Sequence, residues 1–286
     1  MKADLHCYTT ISDGTLGIED LMILAKNSGL DKIAITDHDC IASSVRGSMI
    51  AKRMDGFDVI IGCEFSATDT ETMNMVDILC YLPDSPERLE KLCISNTAIR
   101  QRAGRIIAKK ASEKFNIPGK YIVSCATGAN YISEGHIMRA LSNCGMTSEL
   151  FGELYESLFT RGSKDYIGIK PAFPAVRDVL EEIHGAGGIA IMSAPKEENM
   201  GLLEELIDEG VIDGIEVWTP DTSESERAAL LKLAKDNGLL ATGGSCFHGA
   251  FSNKAITIGT ECPPADNVAA LLSYKSRKNR KKRNTV

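Results

Sequence analysis

The chain has 286 residues, 43% of them hydrophobic, with 39 acidic and 32 basic side chains for a net charge of −7. That length buries one large core, or one core plus a modest insertion, and the composition is that of an ordinary soluble globular protein. Seven of the basic residues lie between Lys275 and Arg283, which leaves −14 on the rest, a surface that argues against sequence-independent binding to nucleic acid.

From the first residues, short β-rich runs alternate with amphipathic stretches. Ala3–Leu5, Lys32–Thr36, Val59–Gly62 and Val76–Tyr81 each lead into a polar turn. Between the first two, Ile18, Leu21, Met22, Leu24 and Ala25 share one face of a predicted helix that stops near Gly29. The rhythm breaks from about residue 84 to 171, where Asn96–Phe115, Glu134–Cys144 and Ser148–Phe159 read as helices and strand signals are few. It resumes with Val176–His184 as helix, Gly188–Met192 as strand, Leu202–Ile207 as helix, Ile212–Trp218 as strand and Glu224–Asp236 as helix. Leu239–Ala241 and Ala255–Ile258 complete the strands. Six or more β-then-α units with short connections suit a barrel better than a sandwich. Residues 1–83 and 172–272 form this barrel, and residues 84–171 are a helical insertion placed to cover the site. Residues 273–286 are a basic tail without apolar periodicity, read as a disordered, solvated end; the competing reading is an arm for nucleic acid or an anionic membrane.

Nine cysteines contain no CxxC pair, and several lie in apolar runs such as Val76-Asp77-Ile78-Leu79-Cys80. They read as reduced, buried thiols. With an odd cysteine count, no signal segment and no long apolar stretch, the expected location is the cytoplasm, with no membrane partner.

Barrel enzymes collect their chemistry at the C-terminal ends of strands, and four of the five histidines fall there or in the insertion. In Asp4-Leu5-His6, strand alternation sends Asp4, His6 and Tyr8 to one side, a costly inward triplet unless paired or metal-bound. Asp37-His38-Asp39 follows an apolar strand and can present two ligands, or a ligand and its orienter, although Asp39 could merely cap a helix. Asp13 stands in a turn signal, Asp13-Gly14, and gains weight only from His6 and His38. Glu64 follows Gly62, and its carboxylate can bridge two cations. Asp77, inside an apolar strand, must meet either a metal or a partner side chain. His136 heads a helix of the insertion, as a ligand or as a core or cap histidine. His184 reads as structural. In the loop Gly243-Gly244-Ser245-Cys246-Phe247-His248-Gly249, His248 can reach inward, while Cys246 could bind a soft metal, act as a nucleophile or be inert. No Walker loop or dinucleotide fingerprint is present.

Asp4-Leu5-His6, Ser12-Asp13-Gly14-Thr15, Thr36-Asp37-His38-Asp39, Gly62-Cys63-Glu64, Lys170-Pro171-Ala172-Phe173, Ala186-Gly187-Gly188 and the Gly244-Ser245 loop with His248 occur in an order that resembles the PHP (polymerase and histidinol phosphatase) family. The resemblance is to its stand-alone metal-dependent phosphoesterases and covers nearly the whole chain. It implies an α/β fold, a distorted (β/α)7 TIM-like barrel with a helical insertion, and a site for one to three divalent ions, Mn, Fe or Zn. By that resemblance His6 and Glu64 share one metal position, Glu64, Asp77 and His136 a second, and Asp13, His38 and His248 a third. Tyr8 and Cys246 stand where the family places a histidine and an aspartate at the first position. Asp77 stands for a histidine, Ala194 for the histidine of an Ala-His-Pro signature, and Glu134-Gly135 for an arginine-proline pair. The implied activity is hydrolysis of a small phosphorylated substrate, possibly a nucleotide, by metal-activated water, with Asp37 or His248 as proton relay. The alternative is a degenerate PHP-type protein that binds a metal or phosphorylated ligand without turnover.

Overall fold

The computed structural model describes residues 1–252 and 254–283, with side chains described as far as residue 274. Of the basic tail expected to be disordered, residues 273–283 continue the last helix (Ala265–Arg283), and residues 284–286 lie outside the described residues. Strand β1 (Ala3–Cys7) leads through α1 (Ile18–Asn27) to β2 (Lys32–Ile35), and α2 (Ile41–Ala51) leads to the long β3 (Asp58–Thr68). Strand β4 (Met75–Tyr81) follows β3 after a short turn. Helices α3 (Glu90–Phe115), α4 (Gly119–Ser124), α5 (Glu134–Asn143), α6 (Glu153–Phe159) and α7 (Val176–Gly185) then precede β5 (Ile189–Met192). Helix α8 (Met200–Asp208), β6 (Gly214–Trp218), α9 (Glu224–Asp236), β7 (Leu240–Gly243) and α10 (Ala265–Arg283) complete the chain.

The seven strands pair in sequence order, β1 to β7. All neighbours are parallel except β3 with β4 and β4 with β5, so β4 alone runs the other way. This is the distortion in the barrel. Reversal brings the start of β4 to the mouth, where Asp77 sits opposite Ser66. The circle is nearly closed by a parallel bridge between Cys7 and Phe247. One sequence expectation fails here: Ala255–Ile258 forms no strand. Its two isoleucines mark burial instead, since Ile258 packs into the core with Ile256 against it, and the neighbouring Gly259 N–H donates to Asp4 at 2.8 Å.

The barrel interior is filled by Ala3, Leu5, Ala34, Ile60, Leu79, Tyr81, Ile189, Ile191 and Leu240, closed below by Val268 and Leu271 of α10. Burying each large apolar side chain contributes about 1.5–3 kcal/mol. Tyr81 is fully buried because its hydroxyl donates to the Leu5 carbonyl at 2.7 Å. The helices between β4 and β5 carry a separate core built from Ile107, Ala111, Ile122, Ile137, Met138, Leu141 and Leu158. No helix among the described residues is long and apolar enough to cross a membrane.

The seam between β1 and the loop after β7 depends on close backbone approach. A Cβ on Gly244 would lie 2.4 Å from His6 N and 2.7 Å from Asp4 Oδ1. Gly244→Ala is therefore expected to cost about 1–3 kcal/mol, the usual penalty of overpacking, measured as a shift in the urea midpoint at unchanged slope.

Candidate metal centre

Asp4 is spent on that seam. Its oxygens accept from Ser245 N (2.9 Å), Ser245 Oγ (2.5 Å), Gly259 N (2.8 Å) and His6 N (3.2 Å). Asp37 is spent in the same way on the loop after β1, accepting from Thr9 N (2.7 Å), Thr9 Oγ1 (2.7 Å) and Ser12 Oγ (2.6 Å). Asp37 is fully buried. The loop it ties carries Asp13 outward, and Gly14 lets it turn, since a Cβ there would meet Tyr8 O at 2.5 Å.

Asp39 does not merely cap. It accepts from Arg100 Nε at 2.6 Å and Asn96 Nδ2 at 2.7 Å, both on α3. Arg100 Nη2 also donates to Ser66 Oγ (2.5 Å), which in turn donates to Asp77 Oδ1 (2.5 Å). Asp77 thus meets a partner side chain, and burial followed by the Glu64 charge raises its pKa to about 6. His136 closes a capping box on α5, its Nδ1 3.1 Å from Ser133 N and 2.8 Å from Ser133 Oγ. Burial lowers its pKa to about 4.

Two clusters of metal-ligating groups remain among the described residues. Asp13, His38 and His248 bring donor atoms within 4.8 Å of one another, and so do His6, Glu216 and Cys246. The first set is open. His248 Nδ1 donates to the Cys246 carbonyl at 2.7 Å, which fixes the neutral tautomer and leaves the Nε2 lone pair 3.6 Å from Asp13 Oδ1. The Cys246 backbone is left-handed, φ 50°. His38 Nε2 lies 3.8 Å from Asp13 Oδ2. Asp13 Oδ1 is buried with no hydrogen-bond partner. Two ligands of one Mn- or Zn-sized ion sit about 3–3.6 Å apart, given bonds of about 2.0–2.2 Å, so the residues fit a divalent cation. Burial raises the Asp13 pKa, but His248, His38 and Arg100 outweigh it and hold the carboxyl below its ordinary value.

The second set does not fit. His6 Nδ1 lies 2.7 Å from Glu216 Oε1, and its Nε2 lies 2.5 Å from the Tyr8 hydroxyl. That hydroxyl donates to Glu64 Oε2 at 2.5 Å, while Ser193 Oγ approaches Glu64 Oε1 at 2.9 Å and Glu216 Oε2 at 3.1 Å. Burial disfavours a charged His6, yet Cys246, Glu216, Tyr8 and Glu64 outweigh it, and its pKa stands well above the usual value. Burial likewise opposes the Glu64 carboxylate, but His6 and His38 pull its pKa well down. Cys246 lies 3.5 Å from His6 Nδ1, and burial pushes its thiol up to about 11, so it is no thiolate nucleophile at neutral pH.

Glu216, buried at the barrel mouth against His6, was not singled out from the sequence. A lone carboxylate within the apolar strand Gly214–Trp218 is the same signal that marked Asp77. Its Oε2 also accepts from Ala194 N at 3.1 Å, so the alanine contributes through its backbone.

Residues 4–185 match the PHP domain. The chain belongs to the PHP domain family. Among relatives of this PHP protein, the phosphoribosyl 1,2-cyclic phosphate 1,2-diphosphodiesterase of Eggerthella lenta is 29% identical over 88% of this chain and 95% of its own. A 5'-3' exoribonuclease of Escherichia coli is 30% identical over 86% of this chain and 84% of its own. A solved structure from Bifidobacterium adolescentis, described as a candidate metal-dependent phosphoesterase, superposes with a TM-score of 0.81 at 27% identity. It covers 94% of this chain and 95% of its own.

His136 gives the PHP protein a pH signature. It stays neutral when folded down to about pH 4, whereas an unfolded histidine takes up its proton near the ordinary 6.5. Stability present above pH 6.5 is therefore lost as pH falls from 6.5 towards 4. In chelator-treated protein, His136→Gln is expected to flatten this decline in urea titrations at stepped pH, and an unchanged slope would count against it.

Proposed function

We propose that the protein hydrolyses a small, singly phosphorylated substrate of nucleotide size, using a divalent cation held by Asp13, His38 and His248. The chain is a phosphoric ester hydrolase of the PHP family. The open donor set supports the reading, because Asp13 Oδ1 accepts no hydrogen bond and the His248 Nε2 lone pair stands 3.6 Å from it. One carboxylate and two imidazoles suit manganese, iron or zinc. Such an ion, when bound, supplies a nucleophile from water at neutral pH and offsets charge on the phosphoryl oxygens.

The protein's own groups divide the remaining work. Asp37 positions the loop that presents Asp13, and with its oxygens occupied it is not placed to relay protons. His248 holds its Nδ1 proton on the Cys246 carbonyl, so its other nitrogen would be the one offered to the ion. Asp77 and His136 lie outside the set, bonded to Ser66 and Ser133. Nine cysteines without a disulfide support a reducing, cytoplasmic setting.

The substrate space is a cavity of about 510 Å³, lined by Asp13, His248 and Arg100 and by the rings of Phe151, Tyr155 and Phe251. That size and aromatic wall suit a nucleobase or a ring of similar extent. Arg100 is the one lysine or arginine among the described lining residues, and Asp39 already holds it. Glu134 also lines the wall. A second phosphoryl group would find no uncommitted cation there.

With Mn, Fe or Zn supplied, the protein is expected to release phosphate from a nucleoside monophosphate, and faster than from the corresponding 3',5'-bisphosphate. Asp13→Asn and His248→Gln should each lower kcat/KM about a hundredfold or more. Absence of phosphate release from both substrates with all three metals would sink the reading.

A further inference from the structure

The mouth of the barrel holds two donor clusters side by side, and only one has unspent atoms. We propose that the Tyr8 hydroxyl takes the place of a cation between His6 and Glu64, so that the protein binds no metal through His6. The inference rests on the reading above only in placing metal at Asp13, His38 and His248.

A ring nitrogen can bind a cation only if its lone pair is free. On His6 neither nitrogen is: Nδ1 is 2.7 Å from Glu216 Oε1 and Nε2 is 2.5 Å from the Tyr8 oxygen. Both contacts are shorter than two ligands keep around one ion, about 3 Å or more for bonds of about 2.0–2.2 Å. They are hydrogen bonds, and they join His6 directly to its neighbours.

Glu64 tells the same story from the other side. Tyr8 donates to its Oε2 at 2.5 Å and Ser193 to its Oε1 at 2.9 Å, so each oxygen has a donor. His6 Nε2 is 3.4 Å from Glu64 Oε1, with the phenol oxygen beside both residues. A phenol can bond to both because its oxygen gives one proton and also accepts.

Tyr8 is also held so that it cannot swing away. It is 4% exposed, its ring stacks on His248 with centroids 3.8 Å apart, and its N–H donates to the Phe247 carbonyl at 3.0 Å. The stacking links the two clusters. Tyr8 fills one position and braces a ligand of the other, which makes it a positioning residue for His248.

Metal counting tests this without reference to turnover. Chelator-treated wild type, His6→Gln, Tyr8→Phe and Asp13→Asn proteins would be dialysed against Mn and their metal content measured by plasma mass spectrometry. Wild type, His6→Gln and Tyr8→Phe are expected to hold the same number of ions, and Asp13→Asn one fewer. Loss of a whole equivalent in His6→Gln would overturn the proposal. Wild type loaded with ferric iron gives a second measurement that needs no variant. A visible tyrosinate-to-iron absorption band would make Tyr8 a ligand and overturn the proposal; a spectrum without one supports it. Metal bound as expected but no phosphate release would refute the hydrolytic reading and leave this one standing.

Discussion

A carboxylate taken out of water must be met by donors or cations, and this protein gathers several such groups around the mouth of one small barrel. Asp4, Asp37, Asp39, Glu64 and Glu216 are each 2% exposed or less. Every one has its own solution: backbone and hydroxyl donors of two loops for Asp4, Thr9 and Ser12 for Asp37, Arg100 and Asn96 for Asp39, Tyr8 and Ser193 for Glu64, His6 and Ala194 for Glu216. These pairings fix the loops. They also explain why Asp13, whose Oδ1 has none, is the natural place for an added charge.

The insertion takes part in the same arrangement. Helix α3 reaches the barrel through Asn96 and Arg100, so the long excursion between β4 and β5 is tied to the strand ends by ionic hydrogen bonds as well as by packing. Arg100 also lies over the rings of Tyr131 and Phe173, at 5.2 and 5.1 Å. Its cost of burial is offset from three directions. Farther along, α5 and α6 supply the aromatic and acidic wall of the cavity, where Tyr155 donates to Glu134 at 2.8 Å. The insertion thus both satisfies buried charge at the strand ends and lines part of the cavity.

Much of the fold was legible along the chain because strand and helix periods are local. The strands and helices of the barrel appear where alternation of apolar residues places them. Ala255–Ile258 misled, since an apolar run reports burial without saying whether its backbone has a partner strand. The reversal of β4 was equally invisible, because direction within a sheet depends on what pairs with what. Residue types at strand ends pointed to the candidate site for the same local reason: a polar group directly after an apolar run either caps a turn or faces the barrel mouth.

The sequence by itself determined the alternation of strands and helices, the break for the insertion and the identity of the groups collected at the barrel mouth. Only the tertiary structure decided which of those groups are spent. Asp37 and Asp77 read as site residues; both Asp37 oxygens accept from Thr9 and Ser12, and Asp77 Oδ1 accepts from Ser66. Glu216 joins His6 across 210 positions of chain. Tyr8 read as a departure from a family pattern, and the fold shows its hydroxyl between His6 and Glu64. Composition and spacing list donors and acceptors, whereas satisfaction depends on atoms within about 3 Å, a distance that folding alone establishes.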